Sequence, residues 1–476
     1  MSSLRFSRFS AEIMSKVIEQ VALSGDPRRV DPLLRQISLV SRDVWDMTQR
    51  HLFSHIILTA DKSTRKNNAR LLKGPRGARY GRHVRCLFLF ECTSWIDKAR
   101  AADLLELIVE RAPNISVLHI GYNAGYLDWA ALPVDQRNLI VHIMFHAKKI
   151  MLEGIENFPL QYFRIFGRVE TLDLGHIKLA HVPTQNTWFL VPIPPGGQGL
   201  PPIPAPTTLA VHTGIVSAAA WPENINSGEN DDTFNTLRGL MTTEMITFSN
   251  LTTLYLSSMM KCEAANQLHR AIISQCANTL QELRICVGSS DYSRDVRVGG
   301  NRMILVLDCD IIDLSALKSL KSLYIVAVAR YPITLLLNLV KTIKLQETYL
   351  EELKLIVDEN LEGEDWSMDA IEGESEEDPQ SWAGLDKAIY SILKAHKDTV
   401  VDFMMAPTDT EVDPDDLAEF AREKFPSASK KKRFRFLGLQ FRSFAVNELF
   451  STSTYTEDTF DELTTVVVPL RKESHA

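Results

Sequence analysis

One pattern recurs along this 476-residue chain and limits what it can fold into: an apolar residue, two free positions, leucine, one free position, then another apolar residue. It stands clearly as Val84-Leu87-Leu89, Ile115-Leu118-Ile120, Val169-Leu172-Leu174 and Leu251-Leu254-Leu256. It returns as Leu280-Leu283-Ile285, Leu320-Leu323-Ile325 and Leu350-Leu353-Leu355. Weaker copies are Lys149 to Leu152, Met303 to Leu307, Val400 to Met404 and Phe434 to Leu439. The leucine-x-apolar alternation has the period of a strand. Helical patterns precede several copies: Ala99 to Arg111, Ala264 to Cys276, Pro332 to Ile343 and Ala383 to Lys397. Helix, short turn and strand at a spacing of about 20 to 50 residues is the grammar of a repeat array. Each unit has one apolar helix face and one apolar strand face that it cannot bury alone. Stacking the units makes a parallel sheet with helices outside it, an α/β fold.

The spacing is irregular, and the interruptions are legible. Pro192 to Pro206 holds seven prolines and reads as an extended loop, continued by Trp221 to Asp232. Asp358 to Asp378 carries eleven acidic residues and no basic one, so self-repulsion predicts a solvated segment; Ser367 and Ser375 lie within it. Lys62, Arg65, Lys66, Arg70, Lys73, Arg76, Arg79, Arg82 and Arg85 face a lone Asp61, with Gly74, Pro75, Gly77 and Gly81 breaking the run. That stretch reads as a solvated connection rather than a phosphate-binding patch. Lys430 to Arg435 is basic but runs straight into a strand pattern.

Composition excludes several classes. A length of 476 residues exceeds one compact core, so two domains or a repeat array is expected. A net charge of −8 leaves no global basic field for nucleic acid. No signal-peptide core and no run of roughly 20 apolar residues occurs, so a soluble protein of the cytoplasm, the nucleus or both is expected, with no membrane partner. Six cysteines without a CxxC spacing read as buried reduced thiols. No phosphate loop, dinucleotide fingerprint or nucleophile elbow is present, and no HExxH. His142 and His146 are spaced to share a helix face, yet no third ligand accompanies them, and they read as packing and surface residues rather than a metal site. No cofactor and no catalytic constellation is expected.

The first 58 residues read as a helical unit. Ser10 is placed to cap a helix whose apolar stripe is Ile13, Met14, Val17, Ile18 and Val21. A turn at Ser24-Gly25-Asp26-Pro27 follows, and Asp31-Pro32 reads as the next helix start. After it Leu33, Ile37, Val40 and Val44 share one face, flanked by Leu34 and Trp45. This is more apolar surface than some fifty residues can hide internally.

Two family resemblances follow from these residues. The repeat resembles leucine-rich repeats, whose consensus continues to an Asn or Cys after the strand; Cys92 and Asn123 fit, while Ile177, Met259, Gly288, Val328 and Asp358 do not, so the array is degenerate. The N-terminal segment resembles an F-box through Phe9-Ser10-Ala11-Glu12-Ile13, Asp31-Pro32-Leu33-Leu34, Ser38-Leu39-Val40-Ser41-Arg42-Asp43-Val44-Trp45 and Arg50-His51-Leu52-Phe53, with Ser10 where that family has proline. F-box first and irregular repeats after is similar to the large fungal F-box protein group. The resemblance implies an N-terminal helical F-box followed by an irregular leucine-rich-repeat-like solenoid. It implies a substrate-recognition subunit of an SCF-type cullin-RING ubiquitin ligase, non-catalytic, whose partners are the adaptor subunit, a cullin through it, and an unknown target protein. Ile13, Val17, Leu33, Leu34, Ile37, Val40 and Trp45 then divide between internal packing and adaptor contact.

The expected domains are 1–58 (F-box-like), 59–83 (basic connection), 84–445 (solenoid, with insertions near 190–235 and 358–380) and 446–476 (tail). Outward strand side chains from Arg85 to Lys354 line the concave face, with Phe88, Tyr255 and Tyr324 as candidate target anchors. One alternative is a repeat scaffold whose N-terminal helices only cap the array. Another is a nucleic-acid binder using Lys62 to Arg85 and Lys430 to Arg435, which predicts strong salt dependence.

Overall fold

Equivalent leucines of a repeated template bury together only if successive strands pair in parallel and in register, so that they form columns. The computed structural model describes residues 11–23, 27–90, 92, 95–96, 99–121, 126–159, 162–163, 169–179, 203–204, 206–212, 246–259, 263–288, 297–298, 301–302, 314–328, 332–343, 349–358, 379–406, 414–439 and 465–467. Two compact units result: Met1–Pro201 with Thr452–Glu462, and Pro202–Ser451 with Leu463–Ala476.

The first unit opens with helices α1 (Ala11–Leu23), α2 (Pro27–Ser38) and α3 (Arg42–Leu52). Strands β1 (His55–Leu58), β2 (Cys86–Leu89), β3 (Val117–Ile120), β4 (Lys149–Phe158) and β5 (Thr171–Leu179) then pair in parallel in that order. Between them run α4 (Lys62–Lys73), α5 (Gly77–Gly81), α6 (Ala99–Arg111) and α7 (Val134–His146). Pairing brings Ile56, Leu87, Leu118, Ile150 and Leu172 into one column and Leu58, Leu89, Ile120, Leu152 and Leu174 into the next. Every one of these side chains is buried.

The second unit repeats the scheme with β6 (Thr208–His212), β7 (Thr253–Met259), β8 (Glu282–Gly288), β9 (Ser322–Val328), β10 (Glu352–Asp358), β11 (Val400–Ala406) and β12 (Phe434–Leu439), all parallel. β13 (Thr465–Val467) closes it antiparallel to β12. Its helices are α8 (Glu263–Cys276), α9 (Pro332–Lys341), α10 (Pro379–Ala395) and α11 (Pro414–Lys424). Leu209, Leu254, Leu283, Leu323, Leu353, Val401 and Phe434 form one buried column; Val211, Leu256, Ile285, Ile325, Leu355, Phe403 and Phe436 form another. The leading template residues Val84, Ile115, Val169, Leu251, Leu280, Leu320 and Leu350 are buried as well. The weak copies at 400–404 and 434–439 are full strands, because valine and phenylalanine fill the same column positions as leucine. Phe403, Phe425, Phe434 and Phe436 pack there at centroid separations of 4.8 to 6.3 Å.

The structure differs from the sequence reading at several places. The basic stretch is helical: it forms α4 and α5, which take the place of a repeat helix between β1 and β2. Asp61 starts α4, accepting the Ser63 and Thr64 N–H groups at 3.0 and 2.8 Å and both hydroxyls. Those four bonds hold its carboxyl well below the usual range. The strand-like run His55 to Leu58 forms a strand as its sequence implies, but it belongs to the sheet rather than to the F-box-like segment 1–58, and it starts the array ahead of the first clear template copy. Helix α2 starts at Pro27, so Pro32 lies within it rather than at its start; Pro27 supplies the same pre-set first-turn geometry five positions earlier. The face running from Leu33 to Val44 is broken between α2 and α3, because the Ser41 hydroxyl accepts the Val44 N–H at 3.2 Å and caps a new helix. The Ser10 cap, Asn123, most of the proline-rich loop, Trp221 to Asp232, Met303 to Leu307, Glu359 to Asp378 with its two serines, and most of 446–476 lie outside the described residues. No described helix is long and apolar enough to cross a membrane.

Candidate functional site

The N-terminal helices pack on one small core. Ile18, Leu34 and Val44 are buried together, with Met14, Val21, Ile37, Met47 and Leu52 against them. Of the seven residues that the F-box resemblance singles out, Leu34 and Ile37 thus belong to this core. Four others face outward: Ile13 is 49% exposed, Val17 48%, Leu33 44% and Val40 46%. Leu39, in the turn between α2 and α3, is 84% exposed and joins them; its position outside the periodic stripe hid it from the sequence reading. Isolated exposed apolar residues are ordinary, but five large ones on one short helical unit are more than its small core takes in.

Trp45 takes a third role. It is half-buried, with the Arg79 guanidinium 5.3 Å from its ring centroid, and Arg79 also pairs with Asp46 at 2.5 Å. Phe53 and Tyr80 add a ring contact at 4.4 Å. These contacts join α3 and its C-terminal turn to α5, and they draw on the basic stretch, so no local pattern around Trp45 announces them.

On the sheet face opposite the leucine columns, the second unit carries a row in register: Tyr255, Arg284, Tyr324, Lys354, Asp402 and Arg435. The Arg284 guanidinium stands 4.5 Å from the Tyr255 ring and 4.7 Å from the Tyr324 ring, and the Lys354 ammonium 4.8 Å from Tyr324. Glu282 pairs with Arg284 at 2.7 Å and Glu352 with Lys354 at 3.1 Å; the Tyr324 hydroxyl donates to Glu352 at 2.5 Å. Arg435 engages Asp402 through two nitrogens, each at 2.6 Å. Burial and the Glu352 bond push the Tyr324 phenol above its ordinary value. Alternating cations and aromatic or acidic groups one strand apart neutralise each other, which keeps this face polar and ordered.

The three candidate anchors fare differently. Tyr255 is buried in that row, and Tyr324 is half-buried in it. Phe88, in the first unit, is also buried, beside Phe90 at 5.9 Å and His119 at 5.8 Å. No protein-family model matches this chain, and no curated protein matches it.

Among the described residues no three His, Cys, Asp or Glu side chains are placed to hold a metal ion. His142 and His146 have ring centroids 4.6 Å apart, and the His146 Nδ1 lies 2.8 Å from the His142 carbonyl. Burial pushes the thiols of Cys92 and Cys276 up to about 12 and about 11, so neither is a ready nucleophile.

Proposed function

We propose that this chain is the target-binding subunit of an SCF-type ubiquitin ligase and not an enzyme. Its N-terminal helices dock the adaptor, and through it a cullin; its degenerate leucine-rich repeats hold the target protein. The carrying observation is the division of apolar residues on those helices: a closed core of Ile18, Leu34 and Val44, with Ile13, Val17, Leu33 and Val40 left about half exposed around it. The exposed halves of those four side chains are apolar surface that an adaptor would bury. The in-register columns and the recurrent strand–helix order support the repeat half of the reading.

A second reading, that the helices cap the array, draws on the Trp45, Asp46 and Phe53 contacts to α5. One pair of variants separates the two. Leu33→Asp/Val40→Asp alters only half-exposed positions, so the fold and thermal midpoint should persist while capture of purified adaptor is lost. Leu34→Asp, at a position 2% exposed, should instead unfold the helices. Wild-type protein that fails to capture the adaptor, or a double variant that still captures it, overturns the ligase reading.

A further inference from the structure

Helix α7 ends on two histidines one turn apart. His142 and His146 stand at positions i and i+4, so they share one helix face, and both are exposed. Of the histidines whose exposure is described, no other is exposed. The structure adds what the spacing alone lacks, namely how the rings are held. Their centroids are 4.6 Å apart. The His146 Nδ1 lies 2.8 Å from the His142 carbonyl oxygen, and a carbonyl only accepts. Nδ1 therefore carries the proton, and the lone pair of His146 is on Nε2. A backbone carbonyl holding the far ring nitrogen is the usual support of a metal-ligating histidine. Phe145 packs edge-on to the His146 ring at 5.4 Å and restricts it further.

The separation suits chelation. A metal–imidazole bond of about 2.0–2.1 Å puts each ring centroid about 3.2 Å from a shared ion. Ligand angles from roughly 90° to 109° then place the two centroids about 4.5 to 5.2 Å apart, and the observed 4.6 Å falls inside that span. Charge agrees as well. Burial and the neighbouring His146 push His142 below its ordinary pKa, which favours the neutral, ligating form. A cation bound there stands at the C-terminal end of α7, the negative end of the helix dipole. The ammonium of Lys148, just beyond the helix, is paired with Glu170 at 2.7 Å.

We infer that His142 and His146 form a two-imidazole clamp for a late divalent transition-metal ion, Cu²⁺ above Ni²⁺ and Zn²⁺, with water filling the remaining positions. The order of affinities at nitrogen donors favours copper. The sequence reading set this pair aside for want of a third ligand, and among the described residues no group of three is placed to act together. The fixed tautomer and the ring separation make two sufficient. An ion held there staples one turn of α7 to the next. The inference does not depend on the ligase reading, since α7 is not one of the N-terminal helices.

The test titrates the metal-free full chain with Cu²⁺, Ni²⁺ and Zn²⁺, following the heat of binding and, for Cu²⁺, the nitrogen hyperfine structure of its electron paramagnetic resonance spectrum. Wild type should take up one equivalent of Cu²⁺ that His142→Gln/His146→Gln does not. The metal-free thermal midpoint should be unchanged, because both positions are exposed. Each single variant should bind that ion at least about tenfold more weakly, because the second imidazole of a chelate acts at high effective concentration. The hyperfine pattern should fall from two nitrogens to one. A loss of only about twofold in each single variant would mean two separate imidazoles rather than a clamp, and it overturns the proposal. So does equal Cu²⁺ uptake by wild type and the double variant, tighter binding of Zn²⁺ than of Cu²⁺, or displacement of the ion by Mg²⁺, which prefers oxygen ligands.

Discussion

Asp386→Ala tests how the last repeats are held together. Asp386 sits on α10, is 4% exposed, and accepts the Ser427 N–H through both oxygens at 3.1 and 3.2 Å and the Ala428 N–H at 2.8 Å. Ala428 is fully buried and begins the short 3₁₀ turn Ala428–Lys430 that leads into β12. Hydrogen bonds to a charged acceptor contribute about 1.5–3 kcal/mol each, and a buried N–H left without a partner costs about 1–3 kcal/mol. Alanine removes the acceptor for two amides. Water can replace it at half-buried Ser427 but not at Ala428. Relief from dehydrating the carboxylate offsets part of the loss, so the lower end applies, about 3 kcal/mol. With a urea dependence of about 1–3 kcal/mol per molar, the midpoint for the second unit should fall by about 1–3 M. Amide exchange at Ser427 and Ala428 should accelerate about 100-fold, the factor equivalent to that energy. Asp386→Asn should fall between, because its carbonyl oxygen can still accept from Ala428 while its amide opposes Ser427. Unchanged protection of both amides together with an unchanged midpoint would refute the reasoning.

Two further outcomes are expected. Gly81→Ala sets a Cβ 2.0 Å from the Arg111 carbonyl oxygen and 2.6 Å from its carbon; both are backbone atoms, so α5 must move off the end of α6. A loss of about 1–3 kcal/mol, read as a lower thermal midpoint, is expected, and a midpoint equal to wild type would contradict the close approach. Glu352→Gln addresses pH. Burial raises the Glu352 pKa, but the Tyr324 hydroxyl and the Lys354 and Arg435 charges outweigh it and leave it below the ordinary value. A carboxyl lowered on folding contributes stability that is present above its unfolded pKa of about 4.3 and lost as pH falls through the folded value. Wild type should therefore lose more stability than Glu352→Gln on acidification below about pH 5; parallel stability profiles would rule this out.

The row containing Glu352 also bears on target binding. Its cations are already matched to tyrosines and carboxylates, so a target that used this face would have to break those contacts or bind over them. That weighs against treating Tyr255 as a simple hydrophobic anchor, since its ring lies under Arg284.

Much of the architecture was legible because burial in a parallel sheet is a periodic demand. Val84, Leu87 and Leu89 recur with the same spacing wherever a strand must hide one face, and all of the clear copies are buried at those positions. The α6 helix follows its apolar period from Ala99 to Arg111 residue for residue. Tertiary structure decided what periodicity leaves degenerate. Ile13 and Ile18 lie on one sequence stripe, yet only Ile18 meets Leu34 and Val44, because which edge of a stripe is covered depends on how neighbouring helices are set. The basic stretch scanned as a connection because its charges hide the few apolar contacts that fold it; Leu72 is buried, and Arg65 and Arg79 spend their charges over Trp95 and Trp45. The grip of Asp386 on Ala428 spans forty-two residues, and α5 returns so closely on the end of α4 only because Gly77 carries no Cβ, which would fall 1.7 Å from the Leu72 carbonyl oxygen. Local patterns encode which residues must be buried; which distant partners meet them is a property of the packed chain.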